Sequence, residues 1–107
     1  VEKTDFIAAD CPITGTLQLL SKRWVLLTLR AIQHDTHTFN ALKRALGGHV
    51  SSRTLTDRLI ELEQFGILEK RVISQKPLKT EYHFTRKSQP LKKLIEKLCD
   101  WAASWEA

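Results

Sequence analysis

Two cysteines in a chain of 107 residues are too few for the disulfide framework that holds small secreted scaffolds together. Cys11 and Cys99 are therefore free thiols or a redox pair. The stretch from Val1 to Asp10 lacks the apolar run and small-residue cleavage site of a signal peptide. The longest mainly apolar segment, Trp24 to Ile32, is far too short to span a bilayer. These absences predict a soluble, cytoplasmic protein that does not contact a membrane. No internal repeat, low-complexity tract or Gly/Ser linker divides the chain, so one domain over 1–107 is expected, with 1–10 as an amino-terminal tail. Also missing are a glycine-rich phosphate loop, a nucleophile elbow and an acid pair at recognisable spacing, and a domain this small has little room for a cleft. Neither an enzyme nor a cofactor is expected. His34, His37, His49 and His83 do not suggest a metal site, because His34-x-x-His37 falls in a turn without a carboxylate or thiol at ligand spacing.

What is present is basic and periodic. Seventeen Lys and Arg against twelve Asp and Glu give a net charge of +5, and the excess is uneven. Lys76, Lys79, Arg86, Lys87, Lys92 and Lys93 face only Glu81 in their window, while Lys43, Arg44, Arg53 and Arg58 face only Asp57. Such clusters supply phosphate contacts and steer toward nucleic acid. The pattern predicts five helical segments and one hairpin. Ile13, Leu17, Leu20 and Trp24 continue a stripe after Pro12, with Ser21 as a break point. Trp24 to Ile32 is apolar on nearly every side and reads as a central buried helix. Thr38 is an N-cap for a short helix carrying Phe39, Leu42 and Leu46, which Gly47-Gly48 ends. Ser51 caps the next, whose Leu55, Leu59 and Leu62 form one stripe up to Gly66. Two helices about a short glycine-containing turn make a helix-turn-helix.

The period then changes to two. Val72 to Ser74 and Tyr82 to Thr85 favour strands around a turn at Lys76-Pro77-Leu78-Lys79, a hairpin with a basic tip. The last segment, 86–107, carries Leu91, Leu94, Leu98, Trp101 and Trp105 at alternating spacings of three and four, with Ile95 beside them. It is expected to be a dimerisation helix, with Pro90 marking its start or a kink. The fold expected is mainly α with a small β-hairpin wing (α+β): a winged helix-turn-helix with amino- and carboxy-terminal dimerisation helices.

With the leucine stripe turned inward, Arg53, Thr56 and Asp57 fall on the outer side of their helix. Arg53 has the chemistry for a bidentate contact to guanine, and Thr54 or Thr56 for a phosphate or a thymine methyl. A basic tip at Lys76 and Lys79 is what a wing along a phosphate backbone needs. A winged-helix module that binds another protein is the alternative, but such a face more often carries apolar or aromatic anchors.

These residues resemble the HxlR-type regulators within the MarR-like winged-helix group. The resemblance runs from Cys11 to about Trp105: Cys11-Pro12; Ser21-Lys22-Arg23-Trp24-Val25-Leu26-Leu27; Phe39-Asn40-Ala41-Leu42; the long run Val50 to Glu63; Gly66-Ile67-Leu68-Glu69-Lys70; and Pro77 to Thr85. It implies a homodimer whose terminal helices pair through Ile13, Leu17, Leu91, Leu94, Ile95, Leu98, Trp101 and Trp105. It implies double-stranded DNA as partner, read as a near-palindromic operator by Ser51, Ser52, Arg53, Thr54, Thr56, Asp57 and Arg58. Thr38, Asn40 and Lys43 before them, and Lys76 and Lys79 in the wing, are implied as backbone contacts. Two positions depart from the family. Asp35-Thr36 replaces the usual Gly-Pro ahead of the short helix, and Ile60 stands where a polar residue is common. Cys11, next to Pro12 at a helix start, is the candidate for sensing oxidants or electrophiles, since free amides there favour a thiolate although Asp10 opposes it. Cys99 reads as a packing residue on the flank of the last helix.

Overall fold

The computed structural model describes residues 13–106; Cys11, Pro12 and the 1–10 tail lie outside them. Among the described residues there are five helices and one two-stranded antiparallel sheet: α1 (Ile13–Leu20), α2 (Val25–Gln33), α3 (Phe39–Ala45), α4 (Ser52–Gln64), β1 (Leu68–Gln75), β2 (Leu78–Phe84) and α5 (Gln89–Glu106).

Local chemistry sets the boundaries. Thr38 accepts the Ala41 amide at 3.3 Å to open α3, and Ser51 accepts the Thr54 amide at 3.0 Å to open α4. Gly66 closes α4 at φ 87°, a left-handed conformation that a residue with a Cβ adopts only with strain. Asp35 stands at φ 63° in the turn ahead of α3. It supplies the left-handed geometry that the absent glycine would have given, and aspartate tolerates it better than most residues. α5 begins at Gln89, so Pro90 sits in the first turn, where its missing N–H removes no helical hydrogen bond.

The core is built around the inner faces of α2, α3 and α4. Val25, Leu29, Ile32, Leu42, Val50, Leu55, Leu59 and Leu62 are buried, and Leu68, Tyr82 and Phe84 from the base of the hairpin close over them. α2 differs from the expectation of burial on every side. Val25, Thr28, Leu29 and Ile32 are buried, whereas Leu26 and Leu27 are exposed, because neighbouring elements of the same chain cover one side only. α1 likewise buries Leu19 and leaves Ile13 and Leu17 outside. Ile95, expected at a dimer seam, is buried within its own chain, while Leu94 and Leu98 on the adjoining face of α5 are exposed.

The hairpin is longer than the β-favouring runs suggest, and its turn shrinks to Lys76-Pro77, with Gln75 paired to Leu78. The register slips between Val72 and Ser74, leaving Ile73 as an extra residue that bends the strand. Its base is anchored on both sides. The Ser88 hydroxyl donates to the Ile67 carbonyl at 2.7 Å, and the Thr85 hydroxyl to the Gly66 carbonyl at 2.7 Å, tying the end of α4 to the start of α5. On the other side the Tyr82 amide donates to the His37 carbonyl at 2.8 Å, and His37 Nδ1 donates back to the Tyr82 carbonyl at 2.9 Å. The His37 and His83 rings stack with centroids 4.1 Å apart.

Leu59 is fully enclosed among these elements, so Leu59→Ala should lower unfolding free energy by about 2–5 kcal/mol in urea denaturation, the range for a buried leucine truncation. An unchanged midpoint would contradict this account of the core.

Candidate nucleic-acid interface

α4 presents its chemistry by subtraction. Leu55, Leu59 and Leu62 are buried, so the opposite arc, with Arg53, Thr56, Asp57 and Ile60, is left exposed. Ser52 is exposed at the amino end. Ser51 and Thr54 are engaged with each other: besides capping the helix, the Ser51 hydroxyl donates to Thr54 Oγ1 at 2.9 Å. The amino end of α4 therefore points a satisfied cap and a partial positive dipole outward, a favourable setting for a phosphate.

The preceding helix is joined to this end. Lys43 Nζ donates to Ser52 Oγ at 2.8 Å, which brings the Lys43 ammonium to the start of α4. Asn40 and Arg44 are exposed on α3, and Thr38 is half-buried because its oxygen caps that helix. Lys76 and Lys79 flank the wing tip in solvent. Half-buried Lys43, exposed Arg44, the outer arc of α4 and the wing together form a cationic surface.

Arg58 departs from the expectation that it joins the reading segment. It is half-buried on the flank of α4, its guanidinium pairs with Glu61 one turn on, and its Nε is enclosed without a partner. Glu61 is a residue that sequence reasoning missed. Its second oxygen accepts from Lys22 Nζ at 2.6 Å, linking the turn before α2 to the recognition-type helix across a sequence separation of 39 residues. The Lys22 hydrogen bond above all, aided by Arg58, holds the Glu61 carboxyl below its ordinary value, against partial burial that pushes it up. The Arg58-x-x-Glu61 spacing was legible as a helical ion pair; the Lys22 arm was not. In the wing, His83 Nε2 donates to Glu81 at 2.9 Å and holds that carboxyl low too.

A short helix, a capped second helix with a polar outer arc, and a basic hairpin anchored to both have the arrangement of a winged helix-turn-helix. The model of the family described as HxlR-like helix-turn-helix matches residues 19–107. The chain belongs to the HxlR-like helix-turn-helix family. The uncharacterized HTH-type transcriptional regulator YvaP of Bacillus subtilis (strain 168) is 33% identical over 96 residues, spanning 89% of this chain and 88% of that protein. The reduced form of the transcriptional regulator YodB from B. subtilis superposes with a TM-score of 0.70 at 31% identity, covering 86% of this chain and 90% of that one. The redox regulator HypR in its oxidized form gives a TM-score of 0.75 at 29% identity over 88% and 96% of the two chains. The HxlR-like chain described here is thus a DNA-binding transcriptional regulator with a MarR-like winged-helix fold, and the relatives it matches are regulators rather than enzymes. No helix among the described residues is long and apolar enough to cross a membrane.

The Glu61 pairing has a signed pH consequence. A carboxyl whose pKa is lowered by folding adds stability above its unfolded value, and that contribution is lost as pH falls through the lowered folded value. Glu61→Gln should therefore lower the melting temperature at pH 7, and the gap to wild type should close on acidification below the ordinary carboxylate range. A gap independent of pH would place the effect outside the ion pair.

Proposed function

We propose that this HxlR-like protein works in the cytoplasm as a homodimer, with 1–107 acting as one winged helix-turn-helix domain that binds a near-palindromic operator in double-stranded DNA. The exposed arc of α4 carries the reading. Arg53 supplies a fork matched to guanine O6 and N7, Asp57 an acceptor for cytosine N4, and Thr56 a short group for a phosphate or methyl. Ser52, Asn40 and Lys43 beside that arc, and Lys76 and Lys79 in the wing, are the backbone contacts that fix its register. Ser51, Thr54 and Thr38 act through the caps they make, and Arg58 through its pair with Glu61.

Support for the dimer comes from what the chain leaves uncovered. Leu17, Leu26, Leu94 and Leu98 line an open apolar groove between α1, α2 and α5, with Leu91 half-buried beside them. Ile13, Trp101 and Trp105 extend the same uncovered apolar surface along α1 and α5. The Cα radius of gyration is 15.6 Å, against about 13 Å for a compact chain of this length. A second copy covering this face gives two α4 helices for two half-sites.

Cys11 is the proposed oxidant- or electrophile-responsive thiol. It lies directly before Pro12 and two residues ahead of α1, and YodB has been solved both reduced and diamide-treated, HypR both oxidized and reduced. Modification there would disturb α1 and hence the spacing of the paired α4 helices.

Sites selected from a random-sequence duplex pool provide the test. The protein should recover a palindromic site, bind an isolated half-site far more weakly, and lose affinity steeply with salt, with a log–log slope of about −0.9 per phosphate neutralised. Arg53→Ala should relax preference at one base position per half-site at a cost of about 1–3 kcal/mol; uniform weakening on all sequences would make Arg53 a phosphate contact instead.

On the same site, Cys11→Ser should bind as wild type does and keep binding after diamide, whereas wild type should release. Equal binding by wild-type protein before and after complete alkylation of Cys11 would refute the sensing role.

A further inference from the structure

Ile60 is the one aliphatic side chain of α4 that does not enter the core. Leu55, Leu59 and Leu62 are all but inaccessible, whereas Ile60 is 44% exposed. Isolated apolar side chains on a surface are common and need no function. This one is set apart by its azimuth. It follows Arg53 by seven residues and Asp57 by three, which at 100° per residue puts all three within an arc of about 60° on the side away from the leucine stripe. The other exposed aliphatics lie elsewhere: on α1, α2 and α5, mostly about the groove between them, with Leu27 turned toward α3, or, like Val72, Ile73 and Leu78, on the wing. A β-branched residue also contributes little to an exposed helical position by itself.

The position along the axis fits the same surface. Seven residues advance a helix by about 10 Å, roughly three base-pair steps of 3.4 Å, and helices lying in a major groove read bases over about two turns. The apolar feature that the major-groove edges offer is the 5-methyl group of thymine. Of the two nearby carboxylates that would repel phosphates, Glu61 is neutralised by Lys22 and Arg58, and exposed Glu63 lies about 60° round the helix from Ile60, on the side away from Arg53 and Asp57.

We propose that Ile60 is a specificity-determining residue that packs against the 5-methyl group of one thymine in each half-site, extending the reading surface beyond Arg53 and Asp57. The inference rests on α4 being the recognition helix. A polar side chain in its place would trade this methyl contact for a hydrogen bond or a phosphate contact, and so shift the preferred sequence at that base pair.

The test uses the full chain and the palindromic duplex selected by the wild-type protein. Each thymine is replaced in turn by deoxyuridine, symmetrically in both half-sites, which removes only the methyl group. At one position wild-type binding should weaken about fourfold when one half-site is changed and about fifteenfold when both are, the worth of one buried methyl per half-site. Ile60→Ala should bind the thymine and uracil duplexes equally, and Ile60→Val should keep part of the difference. A melting temperature at or above that of wild type checks that Ile60→Ala is folded, since alanine is the better helix former. Indifference of the wild type to every replacement, a selected site without an invariant thymine, or an undiminished uracil penalty in Ile60→Ala each overturns the assignment. Arg53→Ala on the same duplex separates the two levels. Wild-type affinity and wild-type base preference in Arg53→Ala count against α4 as the recognition helix, whereas an altered preference with a flat uracil scan removes Ile60 alone.

Discussion

The inward stripe of α4 is the constraint on which everything else depends. Leu55, Leu59 and Leu62 enter the common core with no more than 1% of their surface left to solvent. Each contributes on the order of 1.5–3 kcal/mol by leaving water. A helix has only one rotation about its axis that satisfies three such residues at once. Fixing that rotation fixes which residues look outward, so the polar arc is aimed by hydrophobic burial and not by any contact of its own. The same stripe sets the wing. The Ile67 amide donates to the Leu62 carbonyl at 3.0 Å and Gly66 reverses the chain, which delivers Leu68 to the core as the first residue of β1.

The two elements that face outward are also joined behind the surface. Reciprocal main-chain and imidazole hydrogen bonds between His37 and Tyr82 lock the loop ahead of α3 to β2. The wing is thereby tied to the segment that leads into the helix-turn-helix. The bulge at Ile73 lies beyond this lock, so the distal hairpin bends while its base stays fixed.

The sequence made the punctuation legible because caps and glycines act locally. Thr38, Ser51 and Gly66 stand where side-chain oxygens and a left-handed turn are required, and the spacing of the α4 leucines leaves one solution for its inner face. What was not legible depends on neighbours far along the chain. Trp24 to Ile32 is apolar all round, and nothing in its spacing says that its own chain covers only the Val25, Leu29 and Ile32 side. Leu94 and Ile95 are both apolar and adjacent, yet one faces solvent and the other the core, a choice made by where α5 lands on α2. In the candidate interface, Arg53 and Asp57 were readable from azimuth alone. The Arg58 pair with Glu61 has a local i, i+3 spacing, but no local pattern connects Lys22 in the turn before α2 with Glu61 in the third turn of α4.

That meeting also bears on the order in which the protein engages a duplex. Formal charge counts Lys22 and Arg58 among seventeen cations, but the single Glu61 carboxylate lies against both, so the three side chains together carry the charge of one cation and not of two. Exposed Lys76 and Lys79 at the wing tip and Arg44 on α3 lie outside that cluster and add to the positive field of the molecule. Exposed cations of this kind act on a polyanion at longer range than base contacts do, which favours loose capture and sliding along the backbone before reading. If α4 reads the groove as proposed, capture by such exposed charges and interrogation by α4 are separate kinetic events handled by separate parts of one small surface.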